Sequence, residues 1–161
     1  MRGATVHAIK ISDHYDIISF FMHQLHRNEH ELWDKTANWP EIEKQYMSHV
    51  LEMENENDGL CLIASVDNIP AGFIFGYTDE QDESRFEVYE GKELYVSDGY
   101  VDVAFRRQGI YKLLNDELEK HFIKKGVKRI TRFTHLKNTG MRNFLEKSGY
   151  QPTRMLYEKW L

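Results

Sequence analysis

The stretch from residue 93 to residue 125 constrains the fold more than any other, because a strand there passes into a long helix through one short basic loop. Residues 93–101 have strand character, and from Gly109 onward Ile110, Leu113, Leu114, Leu118 and Phe122 recur at helical spacing. Lys124-Lys125-Gly126 closes that helix with cations, which suit the negative end of its dipole, and with a glycine free to take the left-handed C-cap conformation. A strand followed by an amphipathic helix must bury the two apolar faces against each other, so the chain is expected to be a layered α/β (α+β) protein.

The flanking segments extend this pattern. Residues 5–11 alternate like a strand, and Ser12-Asp13 supplies an N-cap for a helix whose apolar stripe is Ile17, Ile18, Phe20, Phe21 and Leu25. Residues 28–38 read as irregular, and Pro40 marks the start of a second helix that ends in the acidic run Glu52, Glu54, Glu56 and Asp58. Residues 60–66 and 71–78 read as a β-hairpin joined at Asp67-Asn68-Ile69-Pro70. Residues 79–84 look like a charged turn, and further strands are expected at residues 86–89, at 129–135 and, as one or two closing strands, within 150–161. A short helix around Met141, Phe144 and Leu145 is stopped by Gly149.

At 161 residues the sequence fits one domain, residues 1–161. No apolar run approaches the roughly 20 residues of a membrane helix, and the N-terminus lacks the apolar core of a secretory signal, so a cytoplasmic protein is expected. Cys61 is the only cysteine, which excludes an internal disulfide and a cysteine zinc site and predicts a small buried hydrophobe. A net charge of −5 disfavours nucleic acid and anionic membrane as partners and suits a cationic substrate better.

The loop between the long strand and the long helix carries the chemistry. The first amides of a helix have no intrahelical partners and lie at the positive end of its dipole, so a loop wrapping into them can hold phosphate oxygens through the backbone. Arg106, Arg107 and Lys112 concentrate positive charge there in an otherwise acidic chain, and Gly109 permits close approach. The nucleotide signatures G-x-x-x-x-G-K-[ST] and G-x-G-x-x-G are both absent.

At these residues a family resemblance emerges. Arg106-Arg107-Gln108-Gly109-Ile110 resembles the [QR]-x-x-G-x-[GA] pyrophosphate loop of GNAT acetyltransferases, and residues 95–102 are similar to the strand that precedes it. Downstream, residues 138–150 resemble the N-x-x-A-x-x-F-Y-E-K-x-G-F block of the same family. The resemblance implies a mixed, mainly antiparallel sheet of about six or seven strands with about four helices, splayed at the fourth strand near Val101. It implies acetyl-CoA as co-substrate, with the diphosphate on the amides of residues 107–112 and the pantetheine arm along the edge around Tyr100, Val101 and Val103. Gln108, Ile110, Tyr111, Asn138 and Phe144 complete the expected cofactor contacts, and no metal is expected. An amine acceptor and a homodimer through terminal strands also follow from the resemblance.

Two positions depart from the family pattern. Tyr111 replaces a small residue, and Leu145 stands where relatives carry the tyrosine that protonates the departing thiolate; Tyr111, Tyr150 and Tyr157 are candidate substitutes. An alkylamine with a pKa near 10.4 must lose a proton before attacking, and Asp98 and Glu93 are the candidate bases, working through water. An amide near Tyr100 is placed to polarise the thioester carbonyl. The proposed activity is N-acetyl transfer by direct attack; the alternative raised by Leu145 is a catalytically silent acyl-CoA sensor or assembly module. Elsewhere, His23, His26 and His30 share one helix side but read as packing or solvated residues. Trp33 and Trp39, with Glu29, Glu31 and Asp34, are a candidate wall for a cationic acceptor.

Overall fold

The computed structural model describes residues 3–80, 86–88 and 91–161. Asp67 and Asn68 both adopt left-handed backbone, with φ of 50° and 63°, which matches the twist a two-residue hairpin turn needs. They join β2 (Leu60–Val66) to β3 (Ile69–Glu80) as the sequence predicts. β1 (Ala4–Ile9) pairs antiparallel on the outer side of β2, and β4 (Lys92–Val101) pairs antiparallel with β3. β5 (Ile130–Thr131) lies parallel to β4, giving the order β1-β2-β3-β4-β5.

Helices cover both faces. α1 (Tyr15–Leu32) follows a 3-10 turn at Ile11–His14, and α2 (Trp39–Glu56) begins with proline in its first turn. Ile18, Phe21, Met22, Met47 and Val50 from these helices bury one sheet face together with Cys61, Ile63, Phe73 and Phe75. α3 (Ile110–Lys124) covers the other, where Leu114, Leu118 and Phe122 are fully buried against Leu62, Ile74, Leu94 and Val96. Burying each such side chain contributes about 1.5–3 kcal/mol, so α3 is held by packing far more than by its propensity. α4 (Thr139–Lys147) is capped at one end by Asn138, whose Oδ1 accepts from the Met141 N–H at 3.1 Å, and ends before Gly149 at φ 89°.

Several expectations change. The described residues contain five strands rather than six or seven. Residues 86–88 are bends and coil, while residues 81–85 and 89–90 of the expected turn and strand lie outside the described residues. The expected strand at residues 129–135 narrows to Ile130–Thr131, and residues 150–161 join no ladder. Alternating apolar residues form a strand only where their backbone groups find a partner, which periodicity cannot supply. α1 continues through residues read as irregular, and Phe20 of its expected stripe is 49% exposed. Glu54, within the acidic run that ends the second helix, is buried and accepts the Ile11 N–H on both carboxylate oxygens at 3.1 and 3.2 Å.

Two features of β4 position the site. Phe75 pairs with Asp98 while Gly76 pairs with Val96, so Ser97 is an extra residue, a β-bulge. Strict alternation would put Asp98 on the α3 face with Leu94 and Val96; the bulge turns Asp98 and Tyr100 to the α1/α2 face. β4 also meets β5 only at Leu94 and Tyr95, so from Val96 onward its outer edge has no ladder partner among the described residues. That is the splay expected at the fourth strand.

Candidate active site

The loop after β4 is shaped for an anion. Arg106 is extended while Arg107 at φ 63° and Gly109 at φ 76° take left-handed backbone, and residues of that conformation in a turn can bring N–H groups to one side as an anion-binding concavity, a nest. The first helical bond of α3 is Leu113 N–H to Gly109 O at 3.0 Å; among the described residues no backbone acceptor is found for the N–H groups of residues 107–112. Six amides without a backbone acceptor therefore lie just before and within the first turn of a 15-residue helix, at the positive end of its dipole. Gly109 is the N-cap, and a β-carbon there would meet open space but carry backbone strain. Gly109→Ala is expected to cost about 1–2 kcal/mol from the left-handed conformation alone, read as a lowered midpoint of chemical denaturation.

The basic side chains divide by role. Arg106 Nε donates to Val101 O at 2.9 Å and its guanidinium lies 5.4 Å from the Tyr100 ring, so Arg106 braces the end of β4. Lys112 pairs with Asp116 one turn along α3 at 2.5 Å. Arg107, Gln108 and Val103 are exposed around the nest, and Ile110 is buried beneath it. Phe144 from α4 packs edge-on against Tyr111 with ring centroids 5.0 Å apart, which brings the second sequence block to the mouth of the loop. Asn138 uses its side-chain oxygen to cap α4, and no partner for its amide nitrogen is found among the described residues.

On the α1/α2 face, Asp98 is buried and accepts hydrogen bonds from the Tyr46 hydroxyl and from Ser97 Oγ, the latter at 2.7 Å. Burial raises its pKa above the ordinary carboxylate value, opposed by those two donors and by the nearby His49. Burial and the Asp98 charge likewise push the Tyr46 phenol upward. Tyr46 has no sequence motif; only the fold brings α2 against the bulge, and sequence reasoning missed it.

Glu93 occupies a different environment. Its Oε2 lies 3.4 Å from Arg129 Nε, close enough for an ion pair but without hydrogen-bond geometry, and Thr131 Oγ1 donates to Oε1 at 3.4 Å. It lines a cleft of about 470 Å³ with Tyr95, Phe133, Arg142, Leu145 and Tyr150. Neither Asp98 nor Tyr46 is among the lining residues of that cleft. Tyr150, which lines the same cleft, donates its hydroxyl to Glu119 on α3, and burial and that carboxylate raise its pKa.

Trp39 is buried, packed against His23, His26 and Tyr46, so it belongs to the core rather than to an acceptor wall. Trp33 remains near the surface, against His135 and Trp160. His26 bonds Ala37 O at 2.6 Å and His30 bonds Thr36 at 2.5 Å, and among the described residues no cluster of three or more metal-ligating side chains is found. Cys61 is buried, and burial pushes its thiol pKa upward. No helix among the described residues is long and apolar enough to cross a membrane.

A splayed β4 edge leading into an amide nest at the start of α3 defines a class, and the comparisons agree with it. The profile of the acetyltransferase (GNAT) family matches residues 12–150, and the chain belongs to that family. Among solved structures it is similar to a tetramutant of the BH1408 protein from Bacillus halodurans, at 15% identity and TM-score 0.79, covering 98% of this chain and 99% of that one. It is also similar to a GCN5-related N-acetyltransferase from Ralstonia eutropha JMP134, at 16% identity and TM-score 0.77, with 98% and 99% covered. A third is AAC(6')-Iy in complex with a bisubstrate analogue, CoA-S-monomethyl-acetylneamine, at 15% identity and TM-score 0.69, with 99% of each chain covered. Among curated proteins none matches the sequence. At these identities the structural likeness establishes the fold, and the family match establishes acetyl transfer as its general chemistry.

Proposed function

We propose that the protein transfers an acetyl group from acetyl-CoA to a primary amine of a small molecule or protein by direct attack. The observation that supports it most is the run of unpaired amides at residues 107–112 directly beyond an unpaired strand edge, a pair of features that fit a diphosphate and an amide-bearing arm. The AAC(6')-Iy structure, with a CoA-containing analogue on the same fold, supports the choice of ligand. Acetyl-CoA supplies the activated acyl group; the chain's residues position it and manage protons.

At neutral pH, freeing an amine of pKa about 10.4 from its proton costs about 4–5 kcal/mol, against about 2 kcal/mol to form the thiolate of a thiol with pKa about 8.5. The base is therefore the more important group. The base is assigned to Asp98, made more basic by burial, with the partly buried Tyr46 that is hydrogen-bonded to it as the relay for the amine proton. Glu93, ion-paired with Arg129, helps shape the acceptor cleft instead. Main-chain N–H groups beyond the bulge polarise the thioester carbonyl. Tyr46→Phe is expected to lower kcat about 10-fold, a smaller loss than removing the carboxylate, with KM for acetyl-CoA little changed in steady-state assays.

The reading includes a homodimer. Residues 151–161 are wholly exposed, with Met155, Leu156, Tyr157, Trp160 and Leu161 between 62% and 112% exposed, and a second copy is the partner we assign to this strip. The function is tested by calorimetry with CoA and by thiol release from acetyl-CoA across a panel of amines, including an aminoglycoside and a polyamine. Binding without thiol release for any amine would favour the sensor; absence of CoA affinity would defeat both readings.

A further inference from the structure

We propose that the acceptor amine also carries a carboxylate, as an amino acid does, and that Arg132 and Arg142 bind it in the cleft beside β4 and β5. This rests on the acetyl-transfer reading above. The net charge of −5 suits a cationic acceptor, but the charges that line this cleft are arranged differently.

Arg129, Arg132, Arg142 and Arg154 all line the cleft, and two of them are already neutralised. Glu87 pairs with Arg154 and, at 2.8 Å, with Arg129, while Glu93 lies 3.4 Å from Arg129. These two arginines and two glutamates form a chain of alternating charge with no excess of either sign. Arg132 and Arg142 stand outside it. Among the described residues neither has a carboxylate at ion-pair distance, and the partners they do have are neutral.

Arg132 directly follows the last residue of β5. It donates to Asn115 Oδ1 at 2.7 Å and to the Tyr111 hydroxyl, and its guanidinium lies 5.7 Å and 5.6 Å from the ring centroids of Tyr111 and Tyr150. These contacts orient the guanidinium without cancelling its charge. A guanidinium does not deprotonate, so a half-buried one leaves that charge for a ligand to offset. From α4, Arg142 donates to Leu136 O at 3.2 Å and is exposed, a second cation at the same cleft. Asp79 and Glu146 also line it and oppose a second negative charge on the ligand, so a carboxylate fits better than a phosphate. Tyr77, Phe133 and Leu145 give the cleft an apolar wall, and Phe133, 83% exposed, is free to be covered by the body of the ligand.

The carboxylate site also lies near the assigned base. Tyr95 lines the cleft; burial raises its pKa, the Asp98 charge adds to the rise and Arg132 opposes it, so both charges are close to one ring. An acceptor anchored at Arg132 therefore carries its nitrogen within a short span of Asp98. An amine without a carboxylate leaves the guanidinium uncompensated, which is the basis of discrimination.

The test uses matched pairs of acceptors, each common amino acid against its own amide, with acetyl-CoA and the full chain. The amide is the less basic amine and offers more of the attacking form at neutral pH, so a preference for the acid reports the carboxylate itself. At least one amino acid is expected to have a KM about 10- to 100-fold below that of its amide, the worth of hydrogen bonds to a charged group. Arg132→Gln should erase that advantage, and calorimetry of the same amino acid into the CoA-loaded protein should show the matching loss of affinity. Should Arg132→Gln fail to fold, Arg142→Gln, at an exposed position of α4, decides: a reduced advantage supports the proposal and an undiminished one overturns it. Equal KM for acids and amides overturns it, as does a rise in KM for acetyl-CoA instead of the amino acid in Arg132→Gln, which would give the guanidinium to the cofactor. Succinyl-CoA preferred over acetyl-CoA with amines that lack a carboxylate would move the anion to the acyl chain and overturn it equally. No affinity for CoA, or no thiol release with any amine, defeats the acetyl-transfer reading itself, whereas turnover of amines with no preference for the acid defeats only this inference.

Discussion

Asp98→Asn is expected to lower kcat for acetyl transfer by about 100- to 1,000-fold, within the usual range for removing a positioned base. Tyr46 and Ser97 donate to different carboxylate oxygens; asparagine keeps an oxygen for Tyr46 and turns its amide nitrogen toward the Ser97 hydroxyl, which can accept, so the shape survives while the basicity is lost. The pH profile sharpens the test. Wild-type kcat/KM should rise with pH through an ionisation above the ordinary carboxylate value, because Asp98 must be charged to act and burial opposes its charge. In Asp98→Asn that limb should vanish. Stability runs the other way: a carboxyl whose folded pKa is raised stabilises the fold below its unfolded pKa, and that contribution is lost as pH climbs through the folded value. Above its folded pKa the folded state bears the cost of the buried charge, so there the asparagine variant should be no less stable than the wild type in denaturant titrations. A variant both inactive and strongly destabilised would point instead to a structural carboxylate.

Gly72→Ala should destabilise the protein by about 3 kcal/mol, toward the upper end of overpacking effects. A β-carbon at this position of β3 would lie 2.4 Å from the carbonyl oxygen of Tyr100 and 2.9 Å from the Cα of Val101. Both are main chain, so no rotamer change relieves the clash; β3 and β4 must part at the point where β4 enters the anion loop. Equilibrium unfolding should show the loss, and CoA affinity should fall with it because the Tyr100 end of the strand moves. An alanine variant with wild-type stability and affinity would mean that the two strands separate there at little cost.

Much of the site's frame was legible in the sequence. Helical spacing from Ile110 to Phe122, the left-handed Gly109, the Asp67-Asn68 turn and the Gly149 stop are local signals, and local geometry obeyed them. Long-range placements were not legible. Tyr46 meets Asp98 across 52 positions and Arg132 meets Tyr111 across 21, and neither pair shares a periodicity or a motif. Trp39 read as an exposed aromatic because its neighbours are polar, yet the α1/α2 packing takes it inside. The expected strand at residues 129–135 and the closing strands failed for the opposite reason: their composition suits a sheet, but pairing is decided by a neighbour that composition does not name.

The bulge at Ser97 makes the side on which Asp98 lies depend on a count of residues. Were β4 one position shorter there, every side chain beyond that point would change sides: Asp98 would be thrust among the leucines beneath α3, and Tyr100 would leave Phe21 for the opposite layer. Swapping Ser97 for another amino acid forfeits one donor to the carboxylate; excising it inverts the wiring of the reaction centre. Lineages of this protein can therefore drift in what stands at that place, but not in whether something stands there.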